Sequence, residues 1–319
     1  MARVFQLDDI RSAAEAMDLT PNIEAGFIAY SKGEVVVPPV GELVFGQPPG
    51  DTHIKYGYIR NDEIFVVKIA SGFYDNPAHG LPSGSGLMLV FSQKTGFLQS
   101  ILLDEGYLTN IRTALAGRIA ARYLAPKKID AIGIYGTGAM ARLQLTYLAS
   151  ETDCRNVVVW GRSDESLRRY CEDMTALGYH VTPTRKSSDV TDACNLIVMT
   201  TPSTEPLVTA GQVRRGTHIT AIGSDTPEKQ ELDERILGSA NVIVSDSIEQ
   251  CRSRGEIFHA LRAGHLSEKD VLELGNVINS GTRARTSESD ITVADLTGVA
   301  VQDIQIAKAV CERLLSAPA

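Results

Sequence analysis

The sequence predicts an α/β protein in two parts, an α+β part followed by a doubly wound parallel sheet. Two observations predict this class. Up to about residue 115 the chain consists mainly of short β-rich runs bounded by Gly, Pro, Asn and Asp, whereas from Ile129 onward strands alternate with helices. Strands that are separated by helices pair in parallel. The length of 319 residues leaves room for two hydrophobic cores.

The first part combines one long helix with several strands. The helix is predicted over Asp8–Lys32. The β-rich runs are Glu34–Pro39, His53–Ile59, Glu63–Ala70 and Gly86–Phe91. A helix of small residues follows at Asn110–Tyr123, and Pro126 then marks a break.

The second part alternates strands and helices, as dinucleotide-binding domains do. Its predicted strands are Asp130–Tyr135, Asn156–Trp160, Leu196–Thr200, His218–Ile222 and Asn241–Val244. Its clearest helices are Ala139–Ala149 and Glu165–Ala176. A last helix, Thr297–Leu315, is predicted to return to the first part.

Composition excludes several function classes. With 31 basic and 39 acidic residues the net charge is -8, so no uniformly basic surface is available for nucleic acid. Apolar runs such as Leu87–Phe91 are far shorter than the roughly 20 residues that span a bilayer. Acidic residues at Asp8 and Asp9 stand where a signal peptide needs an apolar stretch. We expect a soluble, cytoplasmic protein without a membrane or nucleic-acid partner.

The cysteines and histidines indicate neither disulfides nor a metal. The five cysteines are scattered and odd in number, which is typical of reduced thiols. The six histidines form no HxxxH or HxH spacing, so no metal site is predicted.

A glycine motif predicts a Rossmann dinucleotide-binding domain. Gly136, Gly138 and Ala141 form GxGxxA directly after a strand and at the start of a helix. The first glycine permits the tight turn, the second lets the backbone approach a pyrophosphate, and the alanine lets the helix pack closely on the sheet. The helix N-terminus then offers unpaired amides to the phosphates.

The second strand of this domain leaves the choice between NAD and NADP open. An acid at its end would accept hydrogen bonds from the ribose hydroxyls and favour NAD. Here Gly161, Arg162 and Ser163 follow the strand and can receive a 2′-phosphate, which favours NADP. Arg162 can equally stack on the adenine, and Asp164 can still serve the ribose of NAD.

Five ordered motifs resemble the ornithine cyclodeaminase/μ-crystallin family nearly end to end. They are Lys68–Ser83, Leu108–Gly117, Ile134–Ala141, Ala221–Asp233 and Asp290–Gly298. The family contains a cyclising ammonia-lyase, amino-acid dehydrogenases, ketimine reductases and a hormone-binding crystallin, so the resemblance implies a fold and a kind of chemistry rather than one substrate. It implies a substrate-binding and dimerisation domain over residues 1–118, completed by helix 300–319, a Rossmann NAD(P)-binding domain over 119–299, and a homodimer.

The resemblance also implies the residues of the site. Lys68 and Arg112 match the residues that hold the substrate α-carboxylate, a task suited to a point charge and a planar fork. Asp225 matches the catalytic aspartate, which contacts the reacting nitrogen and can move a proton there. The remaining matches fall where family members touch the dinucleotide. These matches are Ser83, Thr113, Ala139, Met140, Thr201, Ile222, Gly223, Ser224, Lys229, Leu296 and Thr297. The expected cofactor-binding residues also include Arg112, Gly136, Gly138, Ala141 and Arg162.

The sequence departs from the family's lyases at Lys55. Cyclodeaminases carry a glutamate thirteen residues before the carboxylate-binding lysine, where it holds the far amine of ornithine, and the same count here reaches Lys55. A lysine there repels an ammonium group and suits an anionic far end. An arginine found in many members after the early strand is also absent, since Pro38–Gly41 stands in its place. The other interpretation of Lys55 is a strand lysine that faces water, and Tyr56 and Tyr58 are further candidates for the pocket lining.

The leading hypothesis is therefore an NAD(P)-dependent imine reductase or amino-acid dehydrogenase for a small acidic substrate. Reduction of iminosuccinate to L-aspartate, or its reverse, satisfies Lys68 and Arg112 at one end and Lys55 at the other. One alternative is an ornithine cyclodeaminase-type lyase, against which Lys55 speaks. Another is a crystallin-like NADPH-dependent binding protein without turnover, against which the retained Lys68, Arg112 and Asp225 speak.

Overall fold

The computed structural model describes residues 2–73 and 75–316, so Tyr74 and residues 317–319 of the predicted helix 300–319 lie outside it. The chain forms two compact units. Unit 1 contains the chain up to Thr113 and the segment from Val299 onward, and unit 2 is Ala114–Gly298. Within the described residues no helix combines the length and the apolarity needed to cross a membrane.

Unit 1 is built on one mixed sheet. Its strands are β1 (Arg3–Phe5), β2 (Val35–Val36), β3 (Gly41–Phe45), β4 (Gly50–Ile59), β5 (Ile64–Phe73), β6 (Gly84–Ser92) and β7 (Leu98–Leu102). Its helices are α1 (Leu7–Glu15), α2 (Thr20–Ser31) and the last helix of the chain, α11 (Ala300–Ser316), with a 3-10 turn at Asn76–His79. The strand order is β1-β7-β6-β5-β4-β2, with β3 also on β4. All pairs are antiparallel except β1 with β7.

The two faces of this sheet differ. Side chains alternate along each strand, so residues two apart share a face. α11 packs on β4 and β5, and the face with Lys55, Lys68 and Met88 is buried. The opposite face carries half-exposed apolar side chains such as Val67 and Leu89.

Unit 2 holds a sheet of eight parallel strands. These are β8 (Ile132–Tyr135), β9 (Asn156–Trp160), β10 (His180–Thr184), β11 (Leu196–Met199), β12 (His218–Ala221), β13 (Val242–Ser245), β14 (Val271–Glu273) and β15 (Thr292–Asp295). The helices of the middle of the chain are α3 (Tyr107–Leu124), which crosses the division between the units, α4 (Ala139–Leu148), α5 (Asp164–Ala176), α6 (Ser187–Ala193), α7 (Arg235–Ser239), α8 (Ile248–Cys251), α9 (Gly255–Arg262) and α10 (Leu274–Ser280). Two 3-10 turns lie at Ala210–Gln212 and Glu268–Asp270.

The strand order of unit 2 is β10-β9-β8-β11-β12-β15-β13-β14. Its first five strands follow the order of the doubly wound dinucleotide-binding fold. Its core lies between sheet and helices and includes Tyr135, Met199 and Val293. The predicted fold class is thereby confirmed.

Two sequence expectations in unit 1 were wrong in detail, and short strands were missed in both units. The single helix predicted over Asp8–Lys32 is two helices, because the Asp18 carboxylate accepts hydrogen bonds from the backbone N–H and hydroxyl of Thr20 and Pro21 starts a new helix. The strand predicted over Glu34–Pro39 shrinks to Val35–Val36, since proline has no N–H for a ladder. Several short strands also escaped prediction: β1, β3, β7, β10, β14 and β15.

Candidate active site

The turn between β8 and α4 has the geometry that a dinucleotide pyrophosphate needs. Gly136 has a φ of +109°, and a Cβ added there would lie 2.6 Å from the Thr200 hydroxyl oxygen. Gly138 caps α4, and a Cβ at that position would meet no atom within 4 Å, so the backbone is open to a ligand. Ala141 is fully buried against the sheet. Ala139 and Met140 form the first turn of α4, where the amides are unpaired.

A cleft of about 640 Å³ runs along the carboxyl ends of three neighbouring strands, β9, β8 and β11. Its size falls within the usual range of ligand sites. The lining residues are Gly136, Thr137, Gly138, Trp160, Gly161, Arg162, Ser163, Ser166, Thr200, Thr201, Pro202, Ser203 and Leu207. Since the second strand of such folds receives the adenosine ribose and the first turn the pyrophosphate, the nicotinamide half belongs on the β11 side. The residues present therefore fit NAD or NADP.

The end of β9 presents polar side chains to this cleft. Arg162 and Ser163 both line it, and Arg162 is exposed. Asp164 begins α5 and forms an ion pair with Arg185 at 3.6 Å. Ser163 caps this helix by accepting a hydrogen bond from the Ser166 N–H.

The loops after β11, β12 and β15 bring four predicted cofactor residues close to one another. Thr201 follows β11, while Ile222 and Gly223 follow β12. The Leu296 N–H, after β15, donates to the carbonyl of Ala221 at 2.9 Å. Thr297 comes next, but its hydroxyl already donates to Asp246 at 3.1 Å.

Asp225 lies in the loop after β12 and is held there by basic side chains. The Lys229 ammonium donates to Asp225 Oδ1 at 2.7 Å, and Arg254 donates to the Asp225 carbonyl at 3.2 Å. The Ser224 hydroxyl donates to the Lys229 carbonyl at 2.5 Å, which closes the loop on itself. The Asp225 side chain keeps about a third of its surface exposed. It is therefore an accessible carboxylate in a fixed loop.

Unit 1 contains a buried group of charged side chains, which we call the cation cluster: Lys55, Lys68, Arg112 and Asp303. Lys55 on β4 lies directly opposite Lys68 on β5 in the antiparallel register. The two lysines are 6% and 2% exposed. Arg112 Nε donates to Asp303 Oδ1 at 3.1 Å, and Lys68 Nζ lies 3.4 Å from Asp303 Oδ2.

The charges of the cluster influence one another. Burial by itself raises the pKa of Asp303, but Lys68, Arg112 and Lys55 together hold that pKa below its ordinary value. Arg112 also donates to the side-chain oxygen of Gln302 at 2.8 Å, which fixes the plane of its guanidinium group. The arrangement offers a preformed positive site for carboxylates.

The remaining predictions for unit 1 fall in different places. Ser83 is exposed in the loop before β6, where its carbonyl accepts from the Phe73 N–H. The Thr113 hydroxyl donates to the carbonyl of Thr109 within α3. Tyr56 and Tyr58 do not lie on the Lys55 face, because neighbouring strand residues alternate, and both are 38% exposed. The idea that they line the pocket was wrong.

Sequence reasoning missed three residues. Gln302 and Asp303 follow the last family motif on α11, where they are buried between the apolar residues Val301 and Ile304. Glu231 is fully buried between the loops that follow β11 and β12. Their position between the apolar residues Val301 and Ile304 is a signal that could have found Gln302 and Asp303, whereas Glu231 sits in a polar stretch with no such contrast.

Comparison with known proteins identifies relatives over nearly the whole chain. The family model described as ornithine cyclodeaminase/mu-crystallin matches residues 2–317. An alanine dehydrogenase from Archaeoglobus fulgidus is 36% identical over 315 residues, which is 98% of this chain and 94% of the relative. An iminosuccinate reductase from Paracoccus denitrificans is 30% identical over 290 residues, 91% of this chain and 89% of the relative.

Solved structures give the same result. An archaeal alanine dehydrogenase dimer with bound NAD superimposes with a TM-score of 0.88 at 33% identity and covers 99% of this chain and 96% of its own. The P. denitrificans iminosuccinate reductase in complex with NAD⁺ superimposes with a TM-score of 0.85 at 29% identity. The match covers 98% of this chain and 96% of the reductase chain.

Proposed function

Because this chain belongs to the ornithine cyclodeaminase/mu-crystallin family, we propose that it reduces a small 2-imino dicarboxylic acid to the L-amino acid. Its coarse activity follows from the relatives: it is an NAD(P)-dependent oxidoreductase acting on amine or imine groups. The substrate that fits best is iminosuccinate, whose reduction yields L-aspartate. The same site can run the reverse reaction as an amino-acid dehydrogenase.

The observation that carries this proposal is the position of Lys55. A lysine facing water would point away from Lys68, but Lys55 is buried directly beside it and lowers the pKa of Asp303. Three cations therefore surround one carboxylate. A substrate with two carboxylates supplies the negative charge that this group attracts, and the short distance between neighbouring strands suits a four-carbon diacid.

Each charged residue has a distinct role in this proposal. Arg112 and Lys68 hold the α-carboxylate, and Lys55 holds the second carboxylate. Asp303 keeps the three cations in place before the substrate arrives, since buried like charges would otherwise move apart. Gln302 fixes the orientation of the Arg112 fork.

Asp225 contacts the substrate nitrogen in this proposal. A reduced dinucleotide held in the cleft of unit 2 would supply the hydride for the imine carbon. The carboxylate of Asp225 stabilises the positive charge of the iminium nitrogen before reduction, and it mediates proton movement at the amine afterwards. Lys229 donates to the Oδ1 atom of this carboxylate, which fixes its orientation in the loop.

Alanine formation from the imine of pyruvate is the second candidate. The similarity to the A. fulgidus alanine dehydrogenase favours it. The alanine reaction leaves Lys55 without a substrate contact, because the alanine side chain is a methyl group that carries no charge. The cyclodeaminase alternative is disfavoured by the same residue, since a buried lysine repels the far ammonium group of ornithine.

A direct assay tests these candidates. Oxidation of NADH and of NADPH is followed separately with oxaloacetate, pyruvate and glyoxylate, each with excess ammonia. The proposal expects the fastest oxidation with oxaloacetate. Activity with pyruvate alone would select the alanine reaction, and ammonia release from ornithine without net cofactor oxidation would select the lyase.

We also propose that the protein is a homodimer formed through the face of the unit 1 sheet that lies opposite the face with Lys55, Lys68 and Met88. That face carries Ile69, Val67, Leu87 and Leu89 on adjacent strands, all only half-buried. Continuous apolar patches of this kind mark interfaces, and a related structure is a dimer. Light scattering should show that Val67→Asp converts dimer to monomer, whereas Leu177→Ser at an exposed position of unit 2 leaves the dimer intact. A monomeric wild-type protein would refute the proposal.

A further inference from the structure

One buried carboxylate joins the two loops on the nicotinamide side of unit 2. Glu231 Oε1 accepts hydrogen bonds from the Thr201 N–H at 2.6 Å and from the Thr201 hydroxyl at 2.7 Å. Glu231 Oε2 accepts from the Gly223 N–H at 2.9 Å. Thr201 follows β11 and lines the cleft, while Gly223 follows β12 and comes two residues before Asp225.

The surroundings leave little freedom for this carboxylate. A Cβ at Gly223 would overlap both the Thr201 carbonyl and the Glu231 side chain, so the two loops approach as closely as glycine allows. Behind Glu231, the Glu256 carboxylate accepts from the backbone N–H groups of Glu231 and Leu232 at 2.8 and 3.1 Å. The Glu231 carbonyl in turn accepts from the Leu207 N–H at 2.8 Å. Backbone and side chain of Glu231 are therefore both fixed.

We propose that Glu231 is a positioning residue for the reaction, which fixes Thr201 on the cofactor side relative to the loop that carries Asp225. It touches no substrate atom. Its carboxylate sets the distance between the loop that receives the nicotinamide half of the dinucleotide and the loop that presents the proton-handling group. The inference rests on the proposed function for the role of Asp225, but its binding test does not depend on the substrate.

Glu231→Gln breaks this link with the least change in shape. Its carboxamide oxygen can still accept from Thr201, but its NH₂ group then faces the Gly223 N–H, a donor against a donor. Loss of one charge-assisted hydrogen bond lowers the equilibrium constant that depends on it by roughly tenfold. A small displacement of reacting groups lowers the rate by up to about 100-fold.

The experiment compares a whole dinucleotide with its truncated form. Calorimetry measures binding of NADH and of ADP-ribose, which lacks the nicotinamide; if the protein prefers NADPH, the 2′-phosphorylated pair is used. For Glu231→Gln we expect affinity for NADH to fall about tenfold while affinity for ADP-ribose stays within about twofold. We expect kcat to fall more than KM changes, and the isotope effect with 4-deuterated NADH to rise.

Two further variants keep the test decisive. Thr201→Val removes the hydroxyl contact to Glu231, together with the weaker bond that this hydroxyl accepts from the Ser203 N–H, and keeps the backbone contact. It should show the same pattern at smaller size, even if Glu231→Gln folds poorly. Glu228→Gln removes the same charge from an exposed position of the same loop and should match wild type. Equal losses for NADH and ADP-ribose, or no loss for either, would overturn the role of Glu231. Selective loss of NADH binding in a protein that reduces no imine would instead refute the proposed function alone.

Discussion

The two units bury carboxylates in opposite ways. Asp303 in unit 1 is buried among cations, and Lys68, Arg112 and Lys55 offset the effect of burial so that its pKa lies below the ordinary value. Glu231 in unit 2 is buried among amide and hydroxyl donors, and burial raises its pKa to about 7 despite those donors. Burial likewise raises the pKa of Asp295, at the end of β15 in the same unit, to about 8.

The difference shows what each arrangement is suited for. A carboxylate among cations stays ionised and holds positive groups ready for an anionic ligand. A carboxylate whose direct partners are backbone and hydroxyl donors, as in Glu231, orders loops without gathering cations for a substrate. In the function that we propose, the charge for substrate recognition lies in unit 1, and the buried carboxylate that orders the dinucleotide loops lies in unit 2.

The largest effect should follow from removing a cation that we assign to the substrate α-carboxylate. Lys68→Met deletes a charge-assisted contact to the α-carboxylate and should lower kcat/KM about 1000-fold, while NADH affinity measured by calorimetry stays close to wild type. Lys94→Met, an exposed lysine of the same unit, is the control and should have no effect. Retention of activity in Lys68→Met would show that the cation cluster is not the carboxylate site.

Neutralising Asp303 should lower the free energy of unfolding more than neutralising Glu231. Asp303→Asn leaves buried cations without their anion and should lower the free energy of unfolding by about 3–5 kcal/mol. Glu231→Gln removes a charge that burial already disfavours and should cost clearly less. Urea denaturation near neutral pH measures both, and equal losses would remove the distinction between the two environments.

The pH dependence of stability should follow the acids of unit 2. Asp295 and Glu256 have raised pKa values, so the folded protein holds protons that the unfolded chain has released. Their contribution to stability is present at low pH and is lost as pH rises through the folded pKa. The lowered pKa of His218, about 3, acts only below its ordinary value of 6.5. Between about pH 6.5 and about pH 8.5 the melting temperature should therefore fall by several degrees, and less steeply in Asp295→Asn. A rising melting temperature would contradict this assignment.

The sequence predicted the dinucleotide part of the fold well because its signals are local. Gly136 and Gly138 stand between a strand and a helix, and the hydrophobic runs on either side have the right lengths. Short strands such as β1 and β15 were missed, since they are stabilised by their neighbours in the sheet rather than by their own pattern. Propensity carries little information on such segments.

The site shows the same division between local and distant signals. Lys68, Arg112 and Asp225 came from motifs, but the place of Lys55 depended on a strand register that the sequence leaves ambiguous. Asp303 lies almost 200 positions from its partner Arg112, and no spacing rule connects them. Glu231 could be recognised only from the loops that its side chain joins.

Substrate preference in a Lys55 variant tests the central claim most directly. The measurement is the ratio of kcat/KM with oxaloacetate plus ammonia to that with pyruvate plus ammonia, in wild type and in Lys55→Met. We predict a ratio of at least about 100 in wild type and a drop of about 10- to 100-fold in Lys55→Met, because only the diacid loses a charged contact. A wild-type preference for pyruvate, or a ratio unchanged by Lys55→Met, would contradict the assignment of Lys55 to the second carboxylate.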